Sequence, residues 1–142
     1  MTITFQVADA TFHTESEPCV CQHFPEEEEC MFCQGSGIYQ RQVSDLPDLN
    51  MGNRNALDLL ALINVGVVDS CGEWSVAELS LVHTRLMELR NTSRGSAFEL
   101  SSHQEGNFYS GGRDSSYVDH RLGALLAVVV SAKKNNAPVF WC

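Results

Sequence analysis

Residues 19–37 read Cys-Val-Cys-Gln-His-Phe-Pro-Glu-Glu-Glu-Glu-Cys-Met-Phe-Cys-Gln-Gly-Ser-Gly, and this stretch decides how the first part of the chain folds. It contains four cysteines as two close pairs, Cys19/Cys21 and Cys30/Cys33. Four thiolates on one loop can close a tetrahedral zinc site with Zn–S bonds of about 2.3 Å. We therefore predict one structural zinc ion bound by all four cysteines, with no open position for chemistry.

Other interpretations of these cysteines stay open. His23 lies between the two pairs and could replace Cys19 or Cys21 as a ligand. A disulfide or a redox-active Cys-x-x-Cys is a second possibility, and unrelated buried thiols are a third. Redox pairs usually sit at a helix N-terminus, whereas Cys33 is followed by Gly-Ser-Gly, which breaks helices. No signal-peptide pattern is visible, which favours the cytoplasm, where reductants keep thiols reduced.

The second cysteine pair carries a local resemblance. Residues 30–37 resemble one repeat, Cys-x-x-Cys-x-Gly-x-Gly, of the cysteine-rich domain of J-domain co-chaperones. The resemblance implies zinc ligation by Cys30 and Cys33. Its glycines can adopt positive φ, which lets backbone N–H groups turn toward the thiolates. The chain lacks the four-fold repetition and the J-domain, so the resemblance implies no chaperone activity.

Charge is distributed unevenly along the chain. The 142 residues carry 9 basic and 18 acidic side chains, for a formal net charge of −9. No Lys or Arg precedes Arg41, whereas the acidic run Glu26, Glu27, Glu28 and Glu29 does. Such a segment repels a nucleic-acid backbone, so direct nucleic-acid binding is not expected. It could instead meet a basic surface on a protein partner, and the alternative is a solvated loop that aids solubility.

Hydrophobic periodicity predicts strands first and helices later. Ile3, Phe5 and Val7 alternate with polar residues, and residues 38–43 alternate again, so we expect these two strands to pair and the zinc site to staple the end of a hairpin. Residues 44–50 have turn chemistry. Helices are predicted from a cap at Asn53 or Asn55 to about residue 64, from a capping box at Ser75 and Glu78 to about 90, and from 115 or 116 to about 134. Residues 137–141 are predicted to form a short edge strand.

These elements define an α+β fold, in which a small N-terminal β-hairpin with a zinc-bound cysteine loop packs on about three helices. The length suits one domain over residues 1–142, with a zinc-stapled β region over 1–43 and a mainly helical region over 44–142. The longest apolar stretch, residues 122–130, is too short to span a bilayer, so we expect a cytoplasmic protein. Cys71 and Cys142 are expected to lie outside the metal site.

A second resemblance covers about residues 30–142. Residues 49–60 are similar to a segment of uncharacterised bacterial and phage proteins that reads roughly L-N-x-x-N-x-N-A-x-x-L-L. Those proteins place a cysteine pair upstream and close with a Gly-Arg…Tyr…Arg-Leu helix before a terminal Val-x-Trp. The matching residues here are Gly112-Arg113, Tyr117, Arg121-Leu122 and Val139-Phe-Trp141. This chain departs at residues 63–65, which read Ile-Asn-Val instead of Leu-Gly-Leu. The resemblance implies one compact domain of bacterial or phage origin, and no activity.

The motifs favour a binding protein over an enzyme. No Cys-His or Ser-His-Asp signature, catalytic zinc motif or nucleotide fingerprint is present. We therefore interpret the chain as a small, zinc-stabilised acidic protein that binds another macromolecule. In its sharpest form, the hypothesis is a phage- or prophage-encoded inhibitor or modulator of a host complex. One alternative is a small-anion or nucleotide-binding protein with a pocket lined by Asn50, Asn53, Asn55 and Arg113. An enzyme with an unrecognised site is the third interpretation.

Overall fold

A computed structural model describes residues 2–19, 30, 33–66, 68–95, 103–105, 108–110 and 115–142. These residues form an α+β fold, as predicted. The helices are α1 (Asn53–Ile63), α2 (Leu79–Gly95) and α3 (Ser115–Asn135). The strands are β1 (Thr2–Val7), β2 (Phe12–Pro18), β3 (Ile38–Ser44), β4 (Leu49–Gly52), β5 (Gly72–Trp74), β6 (His103–Glu105), β7 (Phe108–Ser110) and β8 (Val139–Trp141). None of the helices described is both long and apolar enough to cross a membrane.

The chain divides into two compact units. The main unit comprises Met1–Ala10 and Leu46–Cys142, and the ribbon unit comprises Thr11–Asp45. The ribbon unit contains the four cysteines of the predicted zinc loop, and it starts after β1 rather than at the beginning of the predicted β region. The prediction of a single folding domain over the whole chain stays a prediction.

The main sheet corrects two strand predictions. Its order is β4-β1-β8-β5, and all its pairs are antiparallel. Strand β1 therefore does not pair with residues 38–43 as we expected, because β4 and β8 occupy its two edges and β3 pairs with β2. Strand β4 lies partly in the stretch that we interpreted as a turn. The predicted edge position of the last strand is also wrong, since β8 lies between β1 and β5.

One face of the main sheet forms the core. Alternate strand residues on this face are buried together with apolar residues of α1, α2 and α3. Three aromatic rings pack there, with the Trp74 and Trp141 centroids 4.9 Å apart and Phe5 5.9 Å from Trp141. Both buried indoles keep a hydrogen bond, because Trp74 Nε1 donates to the Val65 carbonyl at 2.8 Å and Trp141 Nε1 donates to the Asp69 carbonyl at 2.9 Å.

The helix boundaries mostly follow their local signals. Helix α1 begins at Asn53 and stops where Asn64 adopts φ 52°, close to the predicted end. The predicted asparagine cap is wrong, because the N-cap residue is Gly52 and no side chain caps the helix. At the start of α2, Glu78 Oε2 accepts hydrogen bonds from the Ser75 N–H at 2.9 Å and from the Ser75 hydroxyl at 2.6 Å. These two bonds favour the carboxylate and lower the pKa of Glu78. Helix α2 continues to Gly95, about one turn beyond its predicted end.

Candidate metal centre

The ribbon unit is built on a two-stranded antiparallel sheet. Strands β2 and β3 pair from Phe12 opposite Ser44 to Pro18 opposite Ile38. The Cys19 N–H donates to the Gly37 carbonyl at 2.9 Å, which extends the pairing one residue beyond Pro18. The sheet therefore fixes Cys19 at the end of the ribbon, beside the segment that carries Cys33.

A tight turn folds the second cysteine pair back toward this end. The Gln34 N–H donates to the Cys30 carbonyl at 2.8 Å, and the Ser36 N–H donates to the Cys33 carbonyl at 2.9 Å. Gly35 has φ 81°, a conformation that side chains with a Cβ rarely adopt. The prediction that glycines in this motif take positive φ is therefore confirmed at Gly35, and Gly37 follows with φ 70°.

The turn and the ribbon bring three thiols together. The Sγ atoms of Cys19, Cys30 and Cys33 all lie within 4.8 Å of one another, and the Cys19 and Cys30 sulfurs are 3.6 Å apart. Two thiolates on one tetrahedral zinc ion would be about 3.8 Å apart, given Zn–S bonds of about 2.3 Å. None of these three cysteines is disulfide-bonded. Their spacing therefore suits a bound metal ion, whose identity the geometry leaves open.

Burial of these sulfurs also fits a metal ligand set. Cys19, Cys30 and Cys33 are 3%, 8% and 6% exposed, and Tyr39 packs against them. Several buried thiolates would repel one another, and a cation removes that penalty. Soft sulfur ligands select zinc, Cu(I) or iron–sulfur clusters over hard cations such as magnesium. In the part of the chain that the structure describes, these three cysteines form the one group of metal-ligating side chains that meets these distances.

The other residues to which we assigned roles in this region lie outside the described residues. Cys21, the predicted fourth ligand, lies outside the described residues, as do His23 and the acidic run 26–29. Their roles stay predictions. Cys71 and Cys142, which we expected outside the metal site, are joined to each other by a disulfide in the main unit.

Among the described residues of the ribbon unit, almost no apolar core exists besides the cysteines. Every residue of β2 is exposed, and Cys19, Cys30 and Cys33 are the only buried residues among those described in the ribbon unit. A two-stranded sheet without such a core is marginally stable in water. The cysteine cluster is therefore the one place in the described ribbon where a strong stabilising interaction can act.

One face of the ribbon carries a chain of charges. His13 Nδ1 lies 2.8 Å from Asp45 Oδ1, and its Nε2 lies 3.1 Å from Glu15 Oε1. These hydrogen bonds, first to Glu15 and then to Asp45, raise the pKa of His13. The Thr11 hydroxyl donates to Asp45 and, together with His13, lowers the pKa of that carboxyl. On the same face, Arg41 lies opposite Glu15 in the sheet.

On the other face of the ribbon, the residues of β2 and β3 are all uncharged. Residues directly opposite in an antiparallel pair share a face, so Thr14 lies beside Gln42 and Ser16 beside Gln40. Two large apolar side chains stand exposed at its ends, Phe12 at 48% and Ile38 at 51%. A depression of about 390 Å³ adjoins the cysteine cluster on this face. Its lining residues are Ser16, Cys33, Gln34, Ser36, Ile38 and Gln40.

The predicted polar pocket of the main unit is only partly described. Asn50 Nδ2 donates to Thr4 Oγ1 at 2.7 Å on the sheet, and Asn55 Nδ2 donates to the Tyr117 hydroxyl at 3.3 Å. Asn53 Oδ1 is buried without a hydrogen-bond partner among the described atoms. Arg113 lies outside the described residues. The pocket and its small-anion or nucleotide ligand stay predictions.

Residues of the second resemblance nevertheless meet in space. The guanidinium of Arg121 lies 5.1 Å from the centre of the Tyr117 ring, and its Nη1 donates to the Asn50 carbonyl at 3.5 Å. Together with the Asn55–Tyr117 hydrogen bond, these contacts connect β4 and α1 to α3. Sequence reasoning found these residues as a motif and missed this structural role, because they are far apart along the chain.

A second depression lies along α2 and α3. It has a volume of about 500 Å³ and is lined by Arg90, Ser116, Asp119, His120, Gly123 and Ala124. Arg90 Nε donates to Asp119 Oδ1 at 3.2 Å, and Gly123 leaves room for the Arg90 guanidinium. This ion pair joins α2 to α3. The pairing partner could not be identified from sequence spacing.

Comparison with known proteins identifies no relative. No protein-family model matches the chain, and no curated protein or solved structure matches it. Nothing in these comparisons bears on the two resemblances, which stay expectations.

Proposed function

We propose that the ribbon unit is a zinc-stabilised binding module through which this protein binds another macromolecule. The observation that supports the proposal is the cluster of three buried thiols in a ribbon whose other described residues are exposed or half-buried. A filled site with four protein ligands stabilises a fold and leaves no position for a substrate. We assign the fourth position to Cys21.

Zinc binding would supply the folding free energy of the ribbon. Small metal domains without a core fold only when the ion binds, so binding and folding are one event. Metal analysis is expected to find about one zinc ion per chain. In a Cys30→Ser variant we expect the zinc content to fall and the β2–β3 amides to lose protection from hydrogen exchange.

The control for this experiment is Cys71→Ser, which removes a cysteine of the main unit. This variant should keep its zinc and its protected ribbon. Full protection of the ribbon in metal-free protein with free thiols would refute the zinc assignment. Loss of zinc in the Cys71→Ser variant would mean that the ligand set is wrong.

Charge favours a partner with a basic surface. Thr11–Asp45 contains seven carboxylates and one basic residue, Arg41, which gives a formal charge of −6 before any thiolate is counted. The run Glu26–Glu29 is covalently joined to Cys30, so chain connectivity keeps it near the metal centre. The uncharged face, with Phe12 and Ile38 exposed, offers apolar contact area beside this charge. Charges of this kind accelerate encounter, and apolar side chains slow dissociation.

In the sharpest form of this proposal, the protein is encoded by a phage or prophage and modulates a host complex. It would then act in the host cytoplasm. Replacing Glu26, Glu27, Glu28 and Glu29 by Gln tests it against a protein that copurifies from the native cell. We expect slower association at low salt and little difference at high salt, because salt screens exposed charges.

The matched control replaces four exposed acids of the main unit, Asp9 and Asp48 by Asn and Glu73 and Glu88 by Gln. This control makes the net charge of the protein less negative and leaves the ribbon unit unchanged. Unchanged association of the four-Gln variant at both salt concentrations would leave the acidic run as a solubility feature. An equal effect of the control would mean that net charge, rather than this segment, steers the encounter.

A further inference from the structure

The two cysteines of the main unit stand in a different environment from the clustered ones. Cys71 and Cys142 form a disulfide, and both residues are exposed. Cys19, Cys30 and Cys33 are buried, and none of them is disulfide-bonded. Thiol–disulfide exchange requires a thiolate to reach a disulfide sulfur. Among the cysteines that the structure describes, this exposed pair is therefore the one that offers a disulfide to a dissolved thiol.

The register of the main sheet explains why the two cysteines face each other. Strands β5 and β8 are antiparallel with Gly72 opposite Trp141, so the next pair outward is Cys71 opposite Cys142. On its other side, Cys142 exchanges two backbone hydrogen bonds with Thr4, at 3.0 and 3.4 Å. A strand residue directs its N–H and C=O to the same neighbour, so the Cys71–Cys142 pair is a non-hydrogen-bonded one. Cys71 and Cys142 are therefore joined through their side chains, by the disulfide, and not by backbone hydrogen bonds.

The same contacts would hold the two thiols in place after reduction. Cys142 keeps its backbone bonds to Thr4. The segment before Gly72 keeps the hydrogen bond from Trp141 Nε1 to the Asp69 carbonyl at 2.9 Å. The two sulfurs would therefore remain opposite each other, and the bond could form again without refolding.

We propose that Cys71–Cys142 is a reversible thiol–disulfide exchange site that reacts with low-molecular-weight or protein thiols while the protein stays folded. A thiolate attacks one Sγ, which forms a mixed disulfide and releases the other cysteine as a thiolate. A second external thiolate then attacks the sulfur of the first external thiol in this mixed disulfide. The cysteine that was bound in the mixed disulfide leaves as a thiolate. The two external thiols leave as a disulfide after giving two electrons, and each cysteine thiolate takes a proton from water.

This inference does not depend on the proposed binding function. Cytosolic thiols keep most exposed pairs reduced, so the open form would prevail in the predicted compartment. An oxidised thiol such as glutathione disulfide would close it by the reverse steps. The redox state of the Cys71–Cys142 pair would thus follow the redox state of the surrounding thiols. Metal-bound cysteines would be protected from the same reaction by their burial.

The test treats the full-length, metal-loaded protein with glutathione at several concentrations in the absence of denaturant. Alkylation and mass spectrometry then measure the state of each cysteine. We expect Cys71 and Cys142 to be reduced at a rate that keeps rising, without a plateau, as the glutathione concentration is raised over about a tenfold range. Amide resonances of α1, α2 and α3 should not move, and glutathione disulfide should restore the bond.

A rate that reaches a plateau with glutathione would mean that unfolding limits the reaction, and it would overturn the proposal, as would a requirement for denaturant. A Cys142→Ser variant provides the control. Its Cys71 should keep glutathione as a stable mixed disulfide under oxidised glutathione, because no second thiol displaces it. If the wild-type protein accumulates the same adduct to the same extent, the two cysteines do not act as a pair.

Discussion

Gly72 lies where the sheet has no room for a side chain, which makes Gly72→Ala the sharpest test of the main unit. A Cβ placed at Gly72 would lie 2.8 Å from Cε2 and 3.0 Å from Cη2 of Trp141, and closer still to Cζ2. The Trp141 ring cannot move freely, since it is 1% exposed and packs 4.9 Å from Trp74. The new methyl group must therefore displace the indole or the β5 backbone.

The expected loss of stability follows from three contributions. Overpacking of a core costs about 1–3 kcal/mol. Displacement of the indole also weakens the hydrogen bond from Trp141 to Asp69, which is worth about 0.5–1.5 kcal/mol. Removing a glycine from the unfolded chain offsets about 0.4–1 kcal/mol of this. We expect Gly72→Ala to lower the free energy of unfolding by about 2 kcal/mol.

Urea unfolding followed by tryptophan fluorescence measures this difference, because both tryptophans of the chain lie in this cluster. Gly52→Ala is the matched control. Gly52 belongs to the same sheet, and a Cβ there would meet no atom within 4 Å. Its free energy of unfolding should fall by less than about 1 kcal/mol, because Gly52 is the N-cap of α1, where Ala is less favourable than Gly, and the reduced entropy of the unfolded chain offsets part of this cost. Equal stabilities of the two variants would refute the packing argument, and Gly72→Ala should be harmless in a Trp141→Leu background.

Two further predictions concern the ribbon unit. The raised pKa of His13 means that its ion pairs with Glu15 and Asp45 stabilise the ribbon below about pH 6.5 and lose this effect as the pH rises through the folded-state pKa. The difference in ribbon protection between the wild type and His13→Gln at constant zinc should therefore vanish at high pH, and a difference independent of pH would contradict it. Gly35 has φ 81°, so Gly35→Ala should weaken zinc binding by about 5- to 30-fold through backbone strain of about 1–2 kcal/mol. Gly35→Asn, which tolerates this conformation, should weaken it less, and equal affinities for both variants would exclude backbone strain as the cause.

Local signals in the sequence were sufficient to predict the positions of the helices. The helical spacing of apolar residues and the Ser75–Glu78 pair both act within one or two turns, so they can be recognised from neighbouring residues. The predicted asparagine cap of α1 is the exception, since Gly52 takes the N-cap position. The turn after Cys33 could also be predicted from neighbouring residues, because glycines indicate a backbone with positive φ. The cysteine cluster follows from this turn and from the end of a strand.

Strand pairing could not be read in the same way. The alternation in residues 38–43 correctly indicates a strand, but it contains no information on which partner strand satisfies its hydrogen bonds. Strand β4 has only four residues and overlaps a stretch with turn chemistry, and β5 has three, so neither gives an alternation long enough to identify a strand. The Arg90–Asp119 ion pair is equally invisible, since its members are 29 residues apart.

The contrast between the two units explains why a metal centre belongs in one of them. The main unit buries apolar residues from its sheet and all three helices, and that core stabilises it without an ion. In the ribbon unit, the described residues expose both faces, with charges on one and amides, hydroxyls, Phe12 and Ile38 on the other. Replacing those exposed groups by a core would stabilise the ribbon, but it would remove the surface available to a partner. Thiolate–metal bonds at one end can stabilise the fold while both faces stay exposed, which is why we place binding in this unit.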